Sequence, residues 1–84
     1  MKKKQTLFNK AKRNPKGITF KELQELAVLY GFVFDTQKGS HVQYKRRDDP
    51  YGFMNFQPRK NDKKMAKIYQ VRALVKFIEI HELS

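Results

Sequence analysis

Apolar residues along this chain recur first at helical and then at strand spacing, and the switches between the two are well punctuated. Leu7, Phe8 and Ala11 fall on one face of a helix predicted over residues 3–13, and Asn14-Pro15-Lys16-Gly17 stops it. Thr19-Phe20-Lys21-Glu22 has the form of a capping box, with Ile18 and Leu23 spaced to form a hydrophobic staple. Phe20, Leu23, Leu26, Ala27 and Tyr30 then make an apolar stripe, and Gly31 stands where a left-handed residue closes a helix. Phe32 to Thr36 reads as a strand, Gln37 to Ser40 as a turn, and His41 to Arg46 as a second strand. Asp48 to Gly52 has turn chemistry, and Phe53 to Gln57 alternates as a third strand that Pro58 ends. From Lys64 to His81 the helical period returns, with Ile68, Val71, Leu74, Val75 and Ile78 as its buried stripe.

The order α-α-β-β-β-α predicts an α+β fold: a three-stranded antiparallel sheet with helices packed on one face. Alternation sends Val42, Tyr44, Met54 and Phe56 toward the helices. His41, Gln43, Lys45, Asn55 and Gln57 share the open face. The aromatic residues Phe20, Tyr30, Phe32 and Phe34 are assigned to the core. No repeat or linker divides the chain, so one domain is expected over 1–84, with 1–17 an N-terminal helical extension.

Charge narrows the class of partner. Nineteen Lys and Arg stand against eight Asp and Glu, a formal charge of +11 on 84 residues, which favours a polyanion and most simply nucleic acid. A solvated basic surface, an acidic protein or an anionic membrane are the other readings. No basic amphipathic helix flanked by Trp supports the membrane. The basic start Met1-Lys2-Lys3-Lys4 is not followed by the apolar run of a signal peptide, and no segment has the length of a membrane helix. With no cysteine to form disulfides or thiolate metal sites, a cytoplasmic protein is expected.

The candidate chemistry centres on Gly39-Ser40-His41. An imidazole, whose ordinary pKa is about 6.5, can exchange a proton with a ribose 2′-hydroxyl or a leaving 5′-oxygen near neutral pH. Such a reaction needs neither metal nor cofactor, and no carboxylate cluster in the sequence suggests one. The competing reading is a turn histidine that bonds locally. Lys38, Lys45 and Arg59 are the cations available to a developing phosphorane, with phosphate contact or plain solvation as alternatives. Tyr44 is a candidate acid only if its hydroxyl is free of the core. His81, in the last turn of the final helix, suits a structural role beside the helix dipole. Lys63, Lys64 and Lys67 at a helix start would meet a bound phosphate, or are simply solvated. Arg72 and Lys76 could bind RNA or acidic residues of a partner.

Several of these segments, in their order, resemble the HicA toxins of HicA–HicB toxin–antitoxin systems. They are Leu29-Tyr30-Gly31-Phe32, Gly39-Ser40-His41 leading into a strand, Gln57-Pro58-Arg59-Lys60, and Tyr69 to Phe77 on the last helix. The resemblance runs from about Ile18 to Phe77. It implies a fold like a double-stranded RNA-binding domain and an mRNA interferase activity in which the histidine after Gly-Ser, here His41, is catalytic. It also implies a HicB antitoxin that covers the active face. Many relatives carry histidines around the Pro after the third strand, where this chain has Gln57-Pro58-Arg59. Lys63-Lys64-Met65-Ala66-Lys67 is in addition similar to the start of the last helix of double-stranded RNA-binding domains, whose lysines straddle phosphates.

The expectation is therefore a toxin that cleaves mRNA without a metal, with His41 as general acid/base. Lys38, Gly39, Ser40, Gln43, Lys45, Arg59, Lys60, Lys63 and Lys64 are expected to contact RNA. The free toxin is expected to be a monomer, forming a hetero-oligomer with its antitoxin. A non-catalytic double-stranded RNA binder and an inactive, partner-binding family member are the alternatives.

Overall fold

A computed structural model describes residues 2–48 and 52–81. Three helices and three strands follow the predicted order: α1 (Lys2–Arg13), α2 (Phe20–Leu29), β1 (Phe32–Lys38), β2 (His41–Arg46), β3 (Phe53–Phe56) and α3 (Ile68–Ile80). The sheet is an antiparallel meander in the order β1-β2-β3, so β2 is central and β1 and β3 are its edges.

Local chemistry accounts for the helix boundaries. A single 3-10 turn over Pro15–Gly17 separates α1 from α2. At Thr19 both halves of the capping box form: the Glu22 N–H donates to Thr19 Oγ1 at 3.0 Å, and the Thr19 N–H donates to Glu22 Oε1 at 2.9 Å. Ile18 and Leu23 are fully buried, as a staple requires. At the other end Gly31 has φ +95°, a conformation open to glycine at little cost. The Arg46 guanidinium reaches over from β2 to donate to the Tyr30 carbonyl and lies 5.5 Å from the Phe32 ring centre. A cation thus sits at the C-terminal end of α2, where the helix dipole favours one.

The core lies between the sheet and the helices. Leu23, Leu26 and Ala27 from α2 and Val71, Leu74 and Ile78 from α3 meet Phe32, Val42, Tyr44 and Phe56. Leu7, Phe8 and Ala11 seal α1 onto the same core, and the Phe8 ring is tilted against Tyr30 with centroids 5.8 Å apart. Three ion pairs add to the apolar contact, tying Lys3 to Glu25, Lys10 to Glu22, and Lys12 to Glu79.

Three expectations change. The last helix begins at Ile68 rather than Lys64, because Met65 and Ala66 form short antiparallel bridges with Thr19 and Pro58, and Lys67 is extended. β1 continues through Lys38, so the turn contains only Gly39 and Ser40. Phe34 is not a core residue: it is 55% exposed, touching the Tyr44 ring edge-on at 6.1 Å. Of the expected tight connection from Asp48 to Gly52, residues 49–51 lie outside the described residues.

Candidate functional site

The β1–β2 hairpin builds the site. Lys38 and His41 are directly opposed, leaving a two-residue turn in which Gly39 has φ +61°. Tight hairpins of this length favour residues that accept positive φ, and glycine does so freely. The Gln37 side-chain amide donates to the Gly39 carbonyl at 3.0 Å and braces the turn. His41 opens the central strand with its side chain exposed, while its neighbour Val42 is buried. Alternation along β2 therefore holds as expected: Val42 and Tyr44 inward, His41, Gln43 and Lys45 outward.

Register assembles the rest of the open face. Thr36 and Asn55 flank Gln43, and the Thr36 hydroxyl is 3.3 Å from Gln43 Oε1 as donor. Thr36, Gln37, Lys38, His41 and Gln43 line one shallow depression. Asp35 is an extra residue in β1, where the register shifts between Phe34 and Thr36. The bulge places its carboxylate 3.4 Å from Lys45 Nζ. Lys45 is thus partnered within the sheet, and Lys38 is the cation beside His41. Tyr44 is excluded as a proton donor to this face: its side chain is buried, and its hydroxyl donates to Gln24 Oε1 on α2 at 3.0 Å. Burial raises its pKa further.

Arg59 is engaged by backbone carbonyls. Its Nε donates to the Ala66 carbonyl at 2.8 Å and its Nη2 to the Lys16 carbonyl at 2.7 Å. With the Arg59 N–H on the Met65 carbonyl, the Ala66 N–H on the Ile18 carbonyl and the Phe20 N–H on the Lys64 carbonyl, three segments are laced together. Arg59 is the pin of this lacing. Its consequence is to gather Lys16, Lys60, Lys63 and Lys64, the last two on a turn instead of the first turn of a helix. Val42 faces Phe56 in the register, so His41 stands at the end of the sheet where the chain leaves β3 for Gln57, Pro58 and this basic lacing.

Sequence reasoning missed a second polar anchor. Gln70 is buried on α3, and its Oε1 accepts from the Gln57 N–H at 2.9 Å, fixing the exit from β3. The apolar residues around it gave no signal, because its partner lies across the fold. His81 behaves as a structural residue: its ring stacks on Phe77 at 4.0 Å, and Nδ1 lies 3.0 Å from the Phe77 carbonyl.

Carboxylates complete the electrostatic picture. Glu22, Glu25, Asp35, Asp48 and Glu79 each lie in an ion pair, and Asp62 Oδ1 accepts from the Lys64 N–H at 3.2 Å. Every described carboxylate is engaged within the molecule, so the surplus cations dominate the outward field. Among the described residues, no three His, Cys, Asp or Glu side chains come together to hold a metal ion. No helix among them is long and apolar enough to cross a membrane.

Comparison with known proteins gives one match. A family model described as the HicA toxin of bacterial toxin–antitoxin systems matches residues 20–80, the span that contains α2, the whole sheet and α3. Neither the curated proteins nor the solved structures yield a match. The matched span covers most of the chain and includes the hairpin that displays His41, and on that ground the chain belongs to the HicA toxin family.

Proposed function

We propose that this toxin is a metal-independent mRNA endonuclease in which His41 acts as general acid/base. The observation that carries the reading is the exposed imidazole at the start of the central strand, opposed to Lys38 and level with the basic segment after β3. In the proposed reaction a ribose 2′-oxygen attacks the adjacent phosphorus and the bond to the 5′-oxygen breaks. The products are a 2′,3′-cyclic phosphate and a 5′-hydroxyl. His41 takes the proton from the 2′-hydroxyl or returns one to the leaving oxygen. Lys38 offers the nearest positive charge to the pentacoordinate phosphorus, and Gly39, Ser40 and Gln43 offer polar contacts along the same depression.

Lys60, Lys63 and Lys64 hold the RNA backbone on either side of the scissile bond. Lys45 and Arg59 have lesser parts, since Asp35 and backbone carbonyls already engage them. The family's toxin role brings an antitoxin as partner. We take that antitoxin to be of the HicB type, neutralising the toxin by covering the open face.

The test is expression of the wild-type chain and of His41→Ala, with Northern analysis of a long mRNA. Wild type is expected to arrest growth and fragment the message, and His41→Ala, folded to the same degree, to do neither. A second reading is favoured by the lacing that gathers Lys16, Lys60, Lys63 and Lys64: a double-stranded RNA binder without cleavage. Intact RNA retained by both proteins would establish that reading and end the catalytic one.

A further inference from the structure

α1 lies outside the span that the family model matches, yet it builds half of a second basic surface. A depression between α1 and α3 takes Lys12 and Arg13 from the first helix and Arg72, Lys76 and Glu79 from the last. Ala11 and Val75, both buried, lie beneath these charged side chains. The charges do not cancel. Glu79 is held by Lys12. Arg13, Arg72 and Lys76 are exposed and make no ion pair or side-chain hydrogen bond among the described residues. Arg72 and Lys76 stand one turn apart on α3, where like charges repel, and a bound anion relieves that repulsion.

The neighbouring residues select the anion. Arg13 is shared with an adjoining depression on α1, where Thr6, Asn9, Lys10 and Asn14 surround it. Pro15, which lines the first depression, is followed by Lys16, one of the cations gathered with Lys60, Lys63 and Lys64 by the Arg59 lacing. Hydroxyl and amide side chains set among Arg and Lys are the groups that contact phosphate and sugar. A protein partner would instead need an apolar anchor at the centre of its interface. The exposed large apolar side chains, Val28, Phe34, Phe53, Tyr69 and Ile80, line neither depression. A second copy of the chain would bring a further +11, which opposes self-association. We infer that the α1–α3 depression holds backbone phosphates of the RNA, beyond the segment that lies against His41. The inference rests on the reading that this chain acts on RNA, and not on the part given to His41. It adds a grip on flanking RNA, half of which comes from residues before the family span.

The experiment is a filter-binding titration of a long single-stranded RNA over a range of salt. It uses the full-length chain with His41→Ala, in which the RNA is expected to stay whole. Into that background go Arg72→Gln with Lys76→Gln on one helix and, separately, Arg13→Gln on the other. Lys21→Gln, an exposed cation on α2 that lines neither depression, is the control for net charge. The α3 double variant is expected to weaken binding roughly tenfold, and each cation removed from the depression to reduce the log–log salt slope by roughly 0.7. Lys21→Gln is expected to leave the slope unchanged. Because the substituted side chains are exposed and unpartnered, melting curves are expected to match the background, which checks folding. Variants of the depression that bind RNA no more weakly than Lys21→Gln, while Lys60→Ala still weakens binding, would overturn the inference and leave the RNA reading intact. Failure of the background chain to retain RNA at any salt would overturn both. Unchanged RNA binding in the α3 double variant, with affinity for the purified antitoxin lost in a calorimetric titration, would assign the depression to a protein and also overturn the inference.

Discussion

The Tyr30 hydroxyl is buried and has no hydrogen-bond partner among the described residues, although the ring below it is well used. Phe8 packs on the ring, and the Lys4 ammonium lies 4.6 Å from its centre. A buried polar atom left unpaired is a net cost, while its removal leaves those contacts in place. Tyr30→Phe is therefore expected to keep the stability or raise it, by up to about 1 kcal/mol, in urea denaturation followed by circular dichroism. Residue identity alone could not reveal this. The exposure of His41 was legible, because it follows from strand alternation around Val42 and Tyr44. The roles of Arg59 and Lys45 were not, since each is set by a partner the sequence does not place beside it: carbonyls of Lys16 and Ala66 for one, the bulged Asp35 for the other.

Among the elements, α2 was the most legible because its signals are local. The box from Thr19 to Glu22 and the glycine at 31 each act within a few residues. The start of α3 was not legible, because Met65 and Ala66 are drawn into bridges by distant strands of chain and the helical pattern continues through them. The cap also makes α2 sensitive to acid. Burial by itself pushes the Glu22 carboxyl up, but the Lys10 ammonium and the Thr19 N–H and hydroxyl outweigh it, so its pKa lies below the ordinary 4.5. A lowered folded-state pKa means that this stabilisation is complete above about 4.5 and is lost as pH falls through the lower, folded value. Glu22→Gln is expected to melt at a lower temperature than wild type near neutral pH, with the gap closing in strong acid. Thermal melts across that range would measure it.

At the scale of the whole molecule, the engagement of every described carboxylate leaves a surface on which a polyanion meets few opposing charges. RNA affinity is accordingly expected to fall steeply with salt in a filter-binding titration. Lys60→Ala and Lys64→Ala should each weaken binding evenly across sequences, and each should reduce the log–log salt slope by roughly 0.7 for a single strand. The helical layer has a consequence of another kind. α1 is sealed to α2 and to α3, and Lys12 finds its carboxylate at Glu79, with the entire sheet lying between them along the chain. On the ribosome α1 emerges before α3 and must wait for it. The core therefore closes only once α3 has been made, and a nascent chain still lacking α3 cannot present the finished fold. For a toxin, the order of synthesis itself delays the onset of harm, leaving an interval in which an antitoxin already made can be waiting.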